Sequence, residues 1–234
     1  FKFISTIDLG AIVTNSSYYY NKIYQYKKKF IYKNILLKLS KVFFILKFYI
    51  ASRNSIFFVL FNFIKISEIF NISNFKNLLK NDPNPQRYDK KKEKNYFLQI
   101  SNYQVYSATY QMNFKVKNAQ KERLKRAKIY SKNLSCIKGI FFKKYLKNTR
   151  DCYLGFPILC QNRNDLYRYL IKNNIDVSKY FYRDCNQLNI FKKFKSDCPN
   201  TKYIFDHILI LPLYPDYPLN ELKSICSKIK DFYS

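Results

Sequence analysis

The side chains with the widest chemical reach in this sequence are its cysteines, its single histidine, a few carboxylates and a great many lysines. Cys136, Cys152, Cys160, Cys185, Cys198 and Cys226 include no CxxC pair, and only His207 is present to join them. A tetrahedral zinc site draws on closely spaced pairs of such ligands, so no metal centre is expected. Free thiols in a reducing cytoplasm are the expected state of these cysteines, because no secretory segment opens the chain. His207 heads the apolar run "HILILPLYP" with no serine or cysteine placed to work beside it, and reads as a strand-end histidine. Asp184-Cys185-Asn186 reads equally as a binding loop or as plain loop structure, and the run Lys90 to Lys94 as a solvated loop able to attract a diphosphate or an anionic membrane surface. Lys2, taken alone, is one exposed lysine among many.

The elements that would position these groups follow from hydropathy and breakers. "AIVTN" (Ala11 to Asn15), after a turn at Asp8-Leu9-Gly10, reads as a short strand, and Asn21 to Asn34 as a basic helix. From Ile35 to Ile64 the chain is strongly apolar. However, Lys38, Lys41, Lys47 and Arg53 break it before any run reaches the ~18 to 20 apolar residues of a spanning helix. Two helices packed on protein or lying in a membrane interface are expected there. Asn81 to Lys94, "NDPNPQRYDKKKEK", is a loop and the clearest internal boundary. Val116 to Leu134 places Leu124, Ala127, Tyr130, Ser131 and Leu134 at helical spacing and predicts one long amphipathic helix. Next come a strand over Phe156 to Gln161 and a helix over Asn164 to Asn173, capped by Asn162 or Asn164 and stopped at Asn174. A buried strand follows from His207 to Pro215. A terminal helix would turn Leu219, Leu222, Ile225, Cys226, Ile229 and Phe232 to one side. That order predicts a small α/β layer domain.

Four segments, in order, carry a resemblance. "KFISTIDLGAIVTN" starts with Lys2 and continues through hydroxyl-bearing residues, Asp8 and Gly10 into "AIVTN". "ISNYQVYSATYQM" (Ile100 to Met112) leads into "KERLKRAKIYSKNL". "FPILCQNRNDLYRYLIKNNIDVSKYF" and "CPNTKYIFDHILILPLYP" complete the set. Together they resemble the DegT/DnrJ/StrS sugar aminotransferases. The resemblance implies the C-terminal part of a fold-type I transferase dependent on pyridoxal 5'-phosphate. Residues 1-20 would end its large domain, 21-94 would be a helical hydrophobic insertion with a basic loop, and 95-234 would form the small α/β domain with its long linking helix.

In such a protein Lys2 would be the catalytic and cofactor-binding residue. Its amine would form the Schiff base with the cofactor aldehyde and then carry a proton between substrate carbon and cofactor carbon. Gln99 stands where the family has an arginine before "SN", and is the remaining cofactor-binding candidate, with a structural role the alternative. Leu9 replaces the first glycine of a pair, which removes a residue that takes positive φ cheaply. Phe97 occupies a position where many members place a phosphate-reaching asparagine. The aspartate that pairs with the pyridine nitrogen would lie before Phe1, a residue that opens the chain in mid-pattern and so suggests a fragment, a processed chain or a truncated gene.

The formal charge of +28 and a pI near 9.8 point, on their own, to nucleic acid. The excess is almost all lysine, spread along the chain and accompanied by heavy use of Asn, Ile, Phe and Tyr. Residues with A/T-rich codons rise together in this way, whereas phosphate recognition favours clustered arginine. Nucleic acid is therefore not an expected partner. The partners expected are a nucleotide-linked keto-sugar, an amino donor (glutamate by resemblance) and a second copy of the chain, with peripheral membrane contact through 35-64 as a further expectation. The expected setting is the cytoplasm and the expected pathway surface polysaccharide or glycan synthesis. The rival readings are a catalytically inactive remnant that binds or dimerises, and a basic protein of membrane surfaces or nucleic acid.

Overall fold

The computed structural model describes residues 12–29, 43, 46, 47, 49, 50, 53–69, 100–143, 151–179 and 184–234. These fall into two compact units. One takes its described residues from 63–69 and from 116 onward, the other from those between 12 and 62 and from 100–115.

In the second unit, α1 (Ser17–Lys28) starts where Ser16 caps it, accepting from the Tyr19 amide at 3.4 Å, and it buries none of its residues. Among the described residues the apolar stretch contributes most of α2 (Asn54–Ile69), and residues 43, 46, 47, 49 and 50 are helical as well. No helix among the described residues is long and apolar enough to cross a membrane. α3 (Asn102–Phe114) begins at a reciprocal cap. The Gln104 amide donates to Ser101 Oγ at 3.4 Å, and the Ser101 amide donates to Gln104 Oε1 at 3.1 Å. The "S-N-x-Q" spelling is thus a helix start with two otherwise orphan amides satisfied. The strand expected over 11–15 is not formed: residues 12–15 have no strand pairing, and Ile12 and Val13 are exposed. A strand needs a ladder to join, and no described strand offers these residues one.

The α/β unit opens with α4 (Val116–Leu134), at the predicted bounds. Its inward side differs from the expected one. Ala127, Tyr130 and Leu134 are buried, Leu124 and Ser131 only half so, and Arg123 and Arg126 are buried with them. β1 (Ile140–Phe141), β2 (Phe156–Cys160) and β3 (Ile208–Leu211) form an antiparallel sheet in the order β1-β2-β3. β2 alternates buried and half-buried residues, as a two-faced strand does. Pro157 lies opposite Ile210, whose own amide and carbonyl turn the other way to pair with Ser178 at 2.9 and 3.1 Å. That site asks no donor of Pro157, and β1 reaches only Leu159 and Cys160, so the missing N–H costs nothing. Gly155 precedes the strand because a Cβ there would come within 2.3 Å of Ile210 Cγ2.

α5 (Arg163–Lys172) ends as predicted. Asn174 has φ 61°, its amide bonds Ile171 O at 3.0 Å, and the Ile175 amide bonds Leu170 O at 2.9 Å. This pair of bonds closes the open carbonyls of the last turn. α6 (Pro199–His207) precedes the predicted strand, so His207 ends a helix instead of opening β3. α7 (Leu219–Tyr233) buries Leu222, Ile225, Cys226 and Ile229 and packs on α4 and α5. The core thus joins Tyr130 and Leu134 of α4, Phe156 and Ile158 of β2, Leu166 and Leu170 of α5, Leu209 and Leu211 of β3, and the inward residues of α7. At about 1.5–3 kcal/mol for each large apolar side chain withdrawn from water, this cluster is the main force holding the unit together.

Candidate functional site

Lys2 and Gln99 lie outside the described residues, as do Leu9, Phe97 and the run Lys90 to Lys94. The polar groups that the structure does bring together sit in the α/β unit, where α4 meets two loops.

Arg123, three residues before Arg126 and one turn before Ala127, is carried inward by the buried side of α4. Its guanidinium donates to Tyr153 O at 2.9 Å and to Leu154 O at 3.1 Å. Burial lowers its pKa from the ordinary arginine value, yet it stays charged at neutral pH. Arg126 donates through Nε and Nη2 to Tyr217 O at 3.2 and 2.9 Å, and through Nη1 to the Glu122 carbonyl and carboxylate. The hydrogen bond from Arg126 holds the Glu122 carboxyl below its usual range. Both forks therefore grip main-chain carbonyls, tying the loops at 153–154 and 217 to one helix.

Close to the same loops, the Tyr214 hydroxyl donates to Asp176 Oδ2 at 2.9 Å. Withdrawal from water raises the Asp176 pKa, and the bond from Tyr214 opposes that rise. Tyr214 itself is held above its ordinary value, first by withdrawal from water and then by the neighbouring carboxylate. Tyr130, buried beneath, donates to Pro212 O at 3.0 Å.

The loop of Asp184-Cys185-Asn186 is closed by its own bonds. Asp184 is buried, and its two carboxylate oxygens accept from the Asn186 amide and the Gln187 side chain, each at 3.0 Å. Its role is to cap a short 3-10 turn, Cys185–Gln187. His207 bonds Tyr203 O through Nδ1 at 2.7 Å and stacks on the Tyr203 ring with centroids 4.1 Å apart, a structural placement. All six cysteines are free; Cys160 and Cys226 are buried, and burial pushes each thiol to about 11. Cys198 is drawn the other way, its thiol held below the ordinary value by bonds from Ser196 and Asn186.

Sequence reasoning missed the two inward arginines. The signal was present: in a chain whose cations are overwhelmingly lysine, arginine recurs at a spacing of three beside Ala127 and Tyr130. A residue that must be charged, buried and multiply bonded is arginine far more readily than lysine.

Residues 79–230 match the DegT/DnrJ/EryC1/StrS aminotransferase family. The chain belongs to that family. Three solved structures share its fold. The sugar aminotransferase CalS13 from Micromonospora echinospora is 16% identical, with a TM-score of 0.53 over 56% of this chain and 36% of its own. A DegT DnrJ EryC1 StrS aminotransferase from Brucella abortus is 17% identical, with a TM-score of 0.52 over 58% and 36%. Helicobacter pylori PseC, an aminotransferase involved in the biosynthesis of pseudoaminic acid, is 13% identical, with a TM-score of 0.52 over 58% and 38%. The chain thus covers a little over a third of the length of these structures. No curated protein sequence matches it. The fold-type I assignment drawn from the four motifs holds, and the family match begins after Lys2, the insertion helices and α1.

DegT/DnrJ/EryC1/StrS aminotransferases depend on pyridoxal phosphate. The described residues do not by themselves fit that group. Their buried cations, Arg123 and Arg126, are committed to carbonyls and to Glu122, and neither is set to receive a phosphate. What they do is tie the loops at 153–154 and 217 to one helix.

Proposed function

We propose that this chain is the C-terminal portion of a pyridoxal-phosphate-dependent aminotransferase that aminates a nucleotide-linked keto-sugar, with glutamate as amino donor, in the synthesis of a surface polysaccharide or glycan. The family match over 79–230 carries this reading. When bound, the cofactor supplies an electron sink for the carbon that bears nitrogen. Lys2 is the residue assigned to this protein's share of the chemistry: its amine is the covalent anchor and afterwards the base and acid that moves one proton. Arg123 and Arg126 act as positioning residues by fixing the loops at 153–154 and 217. The active unit is a homodimer. Its compartment is the cytoplasm, a reading supported by six thiols that are all free.

Borohydride reduction of the protein expressed from its whole coding region, followed by peptide mapping, is the test. The expected result is a phosphopyridoxyl group on Lys2. The same group on another lysine, or on none, would overturn the assignment. The 234-residue chain alone is expected to show no turnover, since it covers a little over a third of the solved relatives. That same coverage favours the second reading, a remnant that only binds or dimerises. Transfer of labelled nitrogen from glutamate to a keto-sugar nucleotide by the full-length protein separates the two.

A further inference from the structure

We propose that α1 and the residues of α2 up to Asn62 form a docking surface for an anionic lipid bilayer, with α1 resting among the headgroups and this part of α2 supplying apolar side chains to the interface. The proposal goes beyond the catalytic reading and does not depend on it.

Composition supplies aromatics and lysines everywhere, and α1 and the first part of α2 leave most of theirs in the open: Tyr18 is 63% exposed and Phe58 66%, while Phe61 is buried. α1 carries five exposed tyrosines, at 18, 19, 20, 24 and 26, and buries nothing. Lys22, Lys27, Lys28 and Lys29 extend among them, and the helix has no acidic residue. Three of these ammonium groups lie over tyrosine rings, at 5.5 Å for Lys22 on Tyr18, 5.2 Å for Lys28 on Tyr24 and 5.5 Å for Lys29 on Tyr26. Aromatic rings with a polar tip, mixed with cations, are the side chains that suit a headgroup layer.

α2 supplies the apolar part. Ile56, Phe57, Phe58, Val59 and Leu60 are all exposed. The 16 residues of the helix rise about 24 Å, short of the ~30 Å hydrocarbon core. Exposed Lys47 and Arg53 flank it on the N-terminal side, with the Arg53 guanidinium 4.7 Å above the Tyr49 ring. Charge decides between occupants. A second copy of α1 would set four lysines against four lysines with no carboxylate to receive them, whereas an anionic bilayer complements every one.

The test uses the full 234-residue chain in flotation with vesicles of phosphatidylcholine alone and of phosphatidylcholine with phosphatidylserine. Two variants accompany it, K22Q/K27Q/K28Q/K29Q and F58D/V59D, both at exposed positions, with circular dichroism to confirm that each keeps its helices. The expected result is flotation with the anionic vesicles, weakened by salt as charges become screened beyond about 8 Å. Each variant is expected to bind at least about tenfold more weakly. Equal binding to neutral vesicles, no binding, or retention of parental binding by either variant would overturn the proposal. So would concentration-dependent self-association that anionic vesicles fail to compete, or retention on duplex DNA tighter than on the vesicles at the same salt.

Discussion

Asp176 is the residue at which chemistry and stability are most directly linked. It is partly withdrawn from water and its pKa is raised, so the folded state holds a proton there more tightly than the unfolded chain does. A raised acid contributes stability in full below its unfolded value, and that contribution is lost as pH climbs through the folded value. At neutral pH the buried charge is therefore a cost, relieved only in part by the Tyr214 hydroxyl. Asp176→Asn keeps an acceptor for Tyr214 and removes the charge. The expected outcome is a higher urea midpoint for the α/β unit at about pH 7, with the advantage fading as pH falls through the folded value and gone below about 4. Tyrosine near-ultraviolet circular dichroism reports it, and a midpoint unchanged or lower at neutral pH would contradict the account. Lys2 belongs to the same scale, but the role proposed for it rests on its neighbours in sequence, and the residue lies outside the described ones.

At the scale of elements, the sequence was most legible where periodicity and punctuation agreed. α4 runs over the predicted residues because its apolar and basic positions alternate with helical spacing. The end of α5 was legible because asparagine tolerates the left-handed conformation that Asn174 adopts. Legibility failed where structure depends on a neighbour: "AIVTN" has the pattern of a strand but no described partner, and His207 closes α6, a helix that starts at Pro199. The arginines of α4 were misjudged for a related reason, since periodicity treats every cation as outward while carbonyls 30 and 91 residues away draw these two in. The cap of α3 makes a direct test. Ser101→Ala removes the acceptor of the Gln104 amide and should cost about 1 kcal/mol of local helix stability. Hydrogen exchange at Gln104 should quicken by about fivefold, and Ser101→Thr should restore it. Unchanged exchange in the alanine variant would show that the cap contributes nothing.

For the whole molecule, the contrast between a closed α/β unit and an outward-facing helical unit makes a prediction about thiol chemistry. Cys160 and Cys226 are enclosed and raised to about 11, while Cys136, Cys152 and Cys185 are exposed and Cys198 is held low. Alkylation of the folded chain followed by peptide mapping should label the last four and spare the first two until denaturant is added. Early labelling of Cys226 would mean that α7 does not stay seated on α4. The family fold was legible at this scale from four short segments in order. The last two of them supply β2, α5, α6 and β3 of the α/β unit.

One small feature bears on how copies of this protein behave when crowded. The two bonds between Ser178 and Ile210 occupy the outer flank of β3 in mid-strand. At the opposite flank of the sheet β1 is only two residues long. Neither margin presents a long row of open amides and carbonyls on which a foreign strand could template. Stacking of these sheets into fibrils is thereby discouraged, even in a chain this rich in aromatic and β-branched residues.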